Sequence, residues 1–152
     1  MSNDPMVPNT DPAPHIRVLA QYTKSVTFNS KDGAQTMQMD QPPKIELGID
    51  LQTNTIVAAQ GIYETVLNLM GAAIQNDEEV FRVELSYAGV FDMSGVPQQQ
   101  LDAFLMIECP QLLFPFARRV IADLTREGGF PPLLIDPIDF VSLYKNRTQN
   151  QA

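Results

Sequence analysis

Alternation of apolar and polar positions dominates the first half of the chain. In KIELGIDLQT, one side of an extended backbone collects the apolar residues Ile45, Leu47, Ile49 and Leu51. This is the pattern of a half-buried strand. An earlier segment, HIRVLAQYTKSVTFNS, places its apolar residues on one parity with an interruption at Lys24: Ile16, Val18, Ala20, Tyr22, Val26 and Phe28. The segment is therefore predicted to be one long strand with a single apolar face.

Two further segments have the composition of strands. GIYETVLNLMGAAI is rich in β-branched and apolar residues, which favours a more buried strand. In EEVFRVELSYAGVFDM the alternation returns, and its apolar side holds Phe81, Val83, Leu85, Tyr87 and Phe91. The turn formers Asn76 and Asp77 separate these two segments. Four long strands with short or medium connections predict an antiparallel sheet.

The hydrophobic period changes after residue 97. From Pro97 to Arg126, apolar residues recur at helical spacing: Leu101, Leu105, Leu112, Phe116, Val120 and Leu124. Pro110 is expected to begin a second helical segment, and Pro115 to lie about one turn further in, where a missing N–H group costs least. We therefore predict a long kinked helix that ends at Gly128-Gly129.

A second, shorter helix is predicted near the C-terminus. It is expected to begin near Pro137, with Asp136 as its N-cap. The predicted fold class is α+β: a four-stranded antiparallel sheet followed by a long kinked helix and a shorter C-terminal helix.

Composition limits the partners and the compartment. The 152 residues carry 10 Lys and Arg against 18 Asp and Glu, a formal net charge of −8, which argues against nucleic acid and direct membrane binding. The proline-rich residues 1–14 are predicted to be a disordered arm, 15–145 one folded domain, and 146–152 a flexible tail. Because neither a signal peptide nor a membrane-spanning segment is evident, a cytoplasmic location is expected.

Residues with catalytic or metal-binding chemistry are scarce. With one histidine, His15, and one cysteine, Cys109, the chain offers no zinc cluster and no Ser-His-Asp relay. Cys109 is interpreted as a small core residue, and the acidic run at residues 77–79 as a solvated turn. Glu64 and Glu84 are either a carboxylate pair or, more in keeping with strand glutamates, exposed cross-strand partners. No catalytic residue, metal or cofactor is predicted, and the chain is not expected to be an enzyme.

Apolar surface exceeds what one covered sheet face needs. The long helix has a second apolar stripe beside its first, which fits either a thick core or an interface between subunits. Apolar and aromatic residues also occur at strand ends, in the first connection and in the last helix, where they either close the core or form a binding surface: Phe28, Met37, Met39, Phe140 and Tyr144.

Three stretches resemble the bacterial SecB export chaperones. These are YTKSVTF (22–28), CPQLLFPFARRVI (109–121) and GGFPPLLIDPIDFVSLY (128–144). The resemblance runs in register from about Ile16 to Tyr144, and the doubled prolines around LLF make it specific. It implies a SecB-like fold and a homotetramer built as a dimer of dimers. The interface residues assigned on this basis are Leu105, Leu112, Phe116, Val120, Val83 and Leu85.

The resemblance also implies a function. SecB-like proteins bind unfolded preproteins, keep them competent for translocation and deliver them to the motor protein SecA, without ATP of their own. Clients are held in a groove between the first connection and the last helix. Its lining here would include Phe28, Met37, Met39, Pro42, Pro43, Phe140 and Tyr144.

SecA docking is expected on the exposed sheet face. The family's fourth-strand acid is retained as Glu84, beside Arg82, whereas Ser25 and Asn29 stand where acids are common in the first strand. Two alternatives stay open. One is a SecB-like chaperone dedicated to a toxin–antitoxin pair, and the other is a small α+β enzyme or ligand-binding cup.

Overall fold

A computed structural model describes residues 13–31 and 41–150 of the chain. Four strands form one antiparallel sheet: β1 (Arg17–Ser30), β2 (Lys44–Val57), β3 (Ile62–Gln75) and β4 (Glu78–Asp92). Their order in the sheet is β1-β4-β3-β2, so β1 and β2 are the two edges. The β3–β4 hairpin turns through Asn76 and Asp77, both of which have positive φ angles, as a two-residue hairpin requires.

Helices follow the sheet in chain order. The first helical region joins a 3-10 turn (Gln98–Gln100), α1 (Leu101–Ala103), a π-helical segment (Phe104–Glu108) and α2 (Cys109–Glu127). After a connection without regular structure comes α3 (Phe140–Asn150). The predicted fold class is thereby confirmed. Among residues 13–31 and 41–150, no helix is long and apolar enough to cross a membrane.

The core lies between one sheet face and α2. Strand β4 contributes the apolar side of its alternation, including Val83, Leu85 and Phe91, and α2 contributes Leu113 and Ile121. All five are less than 3 % exposed. Burial of a side chain of this size stabilises a fold by about 1.5–3 kcal/mol, so this layer dominates the stability of the subunit.

The π-helical segment explains how the chain accommodates Pro110. The Cys109 N–H group bonds the carbonyl of Phe104, five residues back. In this pattern the Leu105 carbonyl would need the N–H group of residue 110, which proline lacks. The hydroxyl of the fully buried Thr65, on β3, donates to this carbonyl instead, at 3.1 Å. A side chain of the sheet therefore satisfies the backbone group that Pro110 leaves unbonded.

Pro115 is accommodated differently. It lies on the exposed side of α2, inside the helix, and Gln111, whose carbonyl loses its partner, is exposed as well. Water can satisfy that carbonyl, so the helix continues to Glu127.

Two predictions about the C-terminal region need correction. The cap of α3 is Asp139, not Asp136: its carboxylate accepts the N–H group of Ser142 at 3.1 Å and the Ser142 hydroxyl at 2.7 Å. This is the N3 position, which an N-cap side chain reaches when the helix starts at Phe140. The helix runs to Asn150, so the predicted tail boundary at residue 146 falls inside it. The predicted arm, residues 1–14, lies almost entirely outside the described residues.

The single apolar face predicted for β1 is also wrong. Val18, Val26 and Phe28 face the helices, but Ala20 and Tyr22 lie opposite outer-face positions of β4. Two one-residue shifts in the β1–β4 pairing cause this, because one extra residue turns the following side chains to the other face.

Candidate functional site

Helix α2 leaves the edge strand β2 largely uncovered. It packs against β4, β3 and, less closely, β1. Leu51 of β2 is buried within the core, but Leu47 and Ile49, four and two residues earlier on the same face, are 49 % and 37 % exposed. The apolar face of β2 therefore extends beyond the helical layer.

A groove of about 370 Å³ runs between this strand and the chain that leads into α3. Its apolar lining consists of Leu47, Ile49, Ile135, Pro137, Ile138 and Leu143. Asp136 and Asp139 stand at its rim, so apolar walls are flanked by negative charge.

Hydrogen bonds to α2 hold the wall of the groove in place. Arg118 Nε donates to the Ile135 carbonyl at 2.9 Å. The buried hydroxyl group of Thr125 accepts a hydrogen bond from the Leu133 N–H group at 2.8 Å. The backbone carbonyl of Thr125 accepts a hydrogen bond from the Phe130 N–H group at 3.0 Å. Leu133 in turn packs over Gly71 of β3, where a Cβ atom would lie 2.8 Å from Leu133 Cδ2. The connection is thus a fixed wall although it has no regular secondary structure.

A smaller cavity of about 140 Å³ shares two lining residues, Ile49 and Leu143, with this groove. Ile49, Leu51, Met106, Leu143, Tyr144 and Arg147 line it. Arg147 Nη1 donates to the backbone carbonyl of Leu51 at 3.0 Å, which ties the last turns of α3 to the edge of β2. Burial, together with the charge of Asp102 and a hydrogen bond to it, raises the pKa of Tyr144.

The structure assembles only part of the predicted groove lining. Tyr144 lines the smaller cavity, and Pro42 and Pro43 lead directly into β2. Phe140 is 1 % exposed and packs in the core, where a client could not reach it. Met37 and Met39 lie outside the described residues.

Phe28 is a second correction to the predicted lining. It lies on the opposite edge strand, three strand spacings or about 14 Å from Leu47. It packs with Phe81 and Phe130, at ring distances of 5.9 and 6.2 Å, against Gly128. Phe28 therefore closes the core at the end of α2 rather than lining the groove.

The outer face of the sheet brings the predicted SecA-contact residues together. Ser25 is paired with Ser86, and Asn29 with Arg82, which lies two residues from Glu84 on the same face. Arg82 contacts Glu79 at 2.8 Å and Glu84 at 3.5 Å.

Acidic residues of β2 continue this surface. Asp50 lies in the same cross-strand row as Asn68, Ser86 and Ser25, and Glu46 in the row of Arg82 and Asn29. A shallow outer groove of about 420 Å³ includes Asp50, Asn68, Met70, Glu84 and Ser86. The carboxylates of Asp50 and Glu84 give this groove negative charge.

The predicted interface residues divide into two groups. Leu112 and Phe116 are 44 % and 50 % exposed on one side of α2, and Phe116 stacks on Tyr87 at 6.5 Å. Val120 continues this row and is half-buried. Leu105, Val83 and Leu85 need correction, because all three lie in the core of their own subunit and leave almost no area for a neighbour.

Glu64 and Glu84 do not form a pair. The residue opposite Glu84 on β3 is Met70, six residues or about 20 Å from Glu64. Glu64 is 5 % exposed and accepts hydrogen bonds from the hydroxyl of Tyr22, from Asn54 Nδ2 at 2.8 Å and from Lys24 Nζ at 3.2 Å.

These contacts determine the ionisation of the cluster. Burial opposes the charge of Glu64, but the hydrogen bonds from Tyr22, Asn54 and Lys24 outweigh it and lower the pKa of Glu64. The hydrogen bond to Glu64, burial and the nearby charge raise the pKa of Tyr22 to about 12. At neutral pH the cluster therefore contains a carboxylate and a neutral phenol.

Cys109 is a core residue, as interpreted from the sequence. Its side chain is fully buried, and burial raises the pKa of its thiol to about 12. A thiol with so high a pKa is not a nucleophile at neutral pH.

Sequence reasoning missed the main lining of the groove. The alternation of β2 identified Leu47 and Ile49 as one apolar face, but no pattern indicates that the helical layer stops short of this strand. Arg118 and Thr125 gave no separate signal, because their role depends on which carbonyl and N–H groups the connection presents to α2.

Similarity to a solved structure defines the class of fold. The chain is similar to a SecB-like chaperone of Mycobacterium tuberculosis, solved in complex with an antitoxin peptide, with a TM-score of 0.70 and 14 % identity. The match covers 82 % of this chain and 91 % of that one. The architecture is that of SecB-like chaperones.

Sequence similarity identifies the family. The family model described as "Preprotein translocase subunit SecB" matches residues 9–151. The protein-export protein SecB of Hyphomonas neptunium is 48 % identical over 147 residues, covering 95 % of this chain and 87 % of the relative. That of Nitrobacter hamburgensis is 44 % identical over 146 residues, covering 95 % and 91 %. The chain belongs to the SecB family of protein-export chaperones.

Proposed function

We propose that this protein binds unfolded preproteins in the cytoplasm, keeps them competent for translocation without using ATP, and delivers them to SecA for export. The exposed apolar face of β2 carries the proposal. Leu47 and Ile49 face a groove whose opposite wall is apolar and fixed to α2. A folded protein would not offer extended apolar side chains to such a groove, whereas an unfolded chain would.

The edge of β2 supports the same proposal. An edge strand has unpaired N–H and C=O groups on its free side, and an extended segment can add to it as a further strand. Side chains of that segment that point to the helix side would enter the groove beside Leu47 and Ile49.

The expected energies suit a chaperone that must release its client. Each buried apolar side chain contributes about 1.5–3 kcal/mol, so three or four account for the ~8 kcal/mol of a micromolar complex before ordering costs. Several grooves in one assembly would add avidity.

We propose that the assembly is a homotetramer, a dimer of dimers. The exposed row of Leu112 and Phe116 on α2, with the exposed Val18 and Val26 on the helix side of β1, forms an apolar surface at one edge of the subunit. A second copy of the chain would cover it, because surfaces of this kind are costly to leave in water.

We place the SecA contact on the outer sheet face. Glu84, Asp50 and Glu46 give this face negative charge, and Glu84 is 57 % exposed despite its contact with Arg82. A basic surface of SecA would be attracted to it. Ser25 and Asn29 contribute polar contacts without charge.

An export role is preferred to one dedicated to a toxin–antitoxin pair. The relatives that share 44–48 % identity are protein-export proteins, whereas the antitoxin-bound chaperone shares only its fold with this chain. Binding of purified SecA separates the two roles, since a dedicated chaperone would lack it.

The direct test uses one preprotein in two states. Titration of the protein with a chemically unfolded preprotein should give micromolar or tighter binding and should suppress its aggregation, both with and without ATP. The same preprotein, folded before mixing, is the control and should not bind. Equal binding of both states, or a requirement for ATP, would contradict the proposal.

A further inference from the structure

The side chains of strand β1 change sheet face twice along its length. Val18 and Val26 face the helices, whereas Ala20 and Tyr22 between them lie on the outer face. The pairing with β4 shifts by one residue at each end of this inverted segment, at the extra residues Leu19 and Lys24. Residues 20–23 are thus held in the opposite orientation to the two ends of the strand.

The hydrophobic pattern of β1 favours a different register. In a strand without extra residues, Ala20 and Tyr22 would face the helices together with Val26 and Phe28. The polar residues Gln21 and Thr23 would then point outward. Because the observed register moves an aromatic ring away from the helices, something other than hydrophobic alternation must hold it.

Glu64 provides the interaction that the observed register requires. Tyr22 and Lys24 extend from β1 across β4 to the carboxylate of Glu64 on β3, and Asn54 reaches the same carboxylate from β2. Lys24 is itself the extra residue of the second shift. Turning Tyr22 toward the helices would break the hydrogen bond to Glu64 and leave a buried carboxylate with fewer donors.

We infer that Glu64 is a positioning residue that selects the register of residues 20–23 in the edge strand β1 against the preference of the apolar pattern. The inverted segment determines which backbone groups the free edge of β1 presents. This bears on the proposed function, because the same edge adjoins the surface proposed to contact a second copy. The register itself lies within one subunit and can be tested without a client or SecA.

Two cysteine pairs distinguish the registers. In the observed pairing Ala20 lies opposite Val90. If the extra residue at Lys24 were absorbed, Gln21 would take that place. The variants Ala20→Cys with Val90→Cys and Gln21→Cys with Val90→Cys therefore share one cysteine and differ by one position. Opposed strand residues are close enough for a disulfide, and the buried Cys109 is shielded from oxidation.

With Glu64 intact, the Ala20 pair should form the intramolecular disulfide at least tenfold faster than the Gln21 pair under mild oxidation. In the Glu64→Leu background the ratio should fall to one or reverse, because the carboxylate no longer holds Tyr22. Glu64→Asp, which keeps the charge on a shorter side chain, should restore part of the preference. Mass analysis separates disulfides within one chain from those between chains.

An unchanged ratio in folded Glu64→Leu protein would overturn the inference. Loss of both disulfides in folded protein would also overturn it, since β1 would then have left the sheet rather than changed register. If Glu64→Leu does not fold, Tyr22→Phe, which removes only the hydroxyl group, decides by the same ratio. A change of the ratio with intact client binding would support the role of Glu64 in the register of β1 and would show that this role is independent of the proposed chaperone function.

Discussion

The two edge strands of the sheet differ in how readily another extended chain can pair with their free edges. Strand β2 pairs with β3 in regular register from Lys44 to Thr55, and its apolar side chains point into an open groove. Strand β1 is interrupted by two register shifts, and a cluster of charged and polar side chains fixes its centre. An unprotected edge invites pairing with any extended chain, which aggregation also exploits.

The difference fits the partners proposed for each edge. A regular, apolar edge such as β2 accepts many sequences, because backbone groups and side chains alternate without interruption. Interruptions such as those in β1 shorten the stretch that can pair, so that edge suits one defined partner, a second copy of the chain. Substitutions on the β1 side should therefore affect assembly, whereas substitutions at β2 should affect client binding.

The largest effect is expected at the β1 side. Placing two charges on the exposed row of α2, with Leu112→Asp and Phe116→Asp, should convert the proposed tetramer to smaller species, because burying unpaired carboxylates costs several kcal/mol. Native mass spectrometry measures the outcome. Gln111→Asp, next to Leu112 and also exposed, is the matched control and should leave the mass unchanged. An intact tetramer in the double variant would remove this row from the interface.

A groove change at β2 should act on client binding instead. Leu47→Asp places a charge at the centre of the groove and should weaken binding of an unfolded preprotein by tenfold or more, since about 1.5–3 kcal/mol of apolar contact is lost. Titration calorimetry gives the affinity and native mass spectrometry the assembly. Gln52→Asp adds the same charge to an exposed site of the same strand and should bind normally. Loss of assembly with Leu47→Asp would contradict the assignment of client binding to β2 and of assembly to the β1 side.

The sequence predicted the elements better than the exposure of their faces. Strand alternation, the change of period near Pro97 and the turn at Asn76-Asp77 produced the correct order and class of elements. The sequence did not predict the inverted centre of β1, because the orientation of Tyr22 and Lys24 depends on their contacts with Glu64, which is about 40 residues away in the chain. Nor did it separate Phe116, which is exposed, from Leu105, which is buried, although both fit the helical period.

A smaller effect is expected from the wall of the groove. Arg118→Gln removes the hydrogen bond to the Ile135 carbonyl and should weaken client binding by about three- to tenfold, since a hydrogen bond from a charged group contributes about 1.5–3 kcal/mol and part of the wall stays held by Thr125. Arg119→Gln is the matched control, because Arg119 is 82 % exposed and pairs only with Asp123 at 3.6 Å among the described contacts. Equal affinities for the two variants would show that the wall does not depend on Arg118.

The smallest effect on client binding is expected from the cluster that holds β1, which should instead change how the stability of the subunit depends on pH. The pKa of Tyr22 is raised to about 12 in the folded protein from an ordinary 10.0, so its contribution to stability is complete below pH 10 and is lost as the pH rises toward 12. Two pKa units correspond to at most about 2–3 kcal/mol. Tyr22→Phe should therefore be less stable than wild type at pH 8 in urea unfolding and should approach it near pH 11. The client affinity of Tyr22→Phe should stay at the wild-type value at pH 8, because the groove is at the other edge. A stability difference that is the same at both pH values would mean that the Tyr22 hydroxyl contributes by packing alone. The hydrogen bond to the Glu64 carboxylate would then not be what makes the centre of β1 differ from the regular edge strand β2.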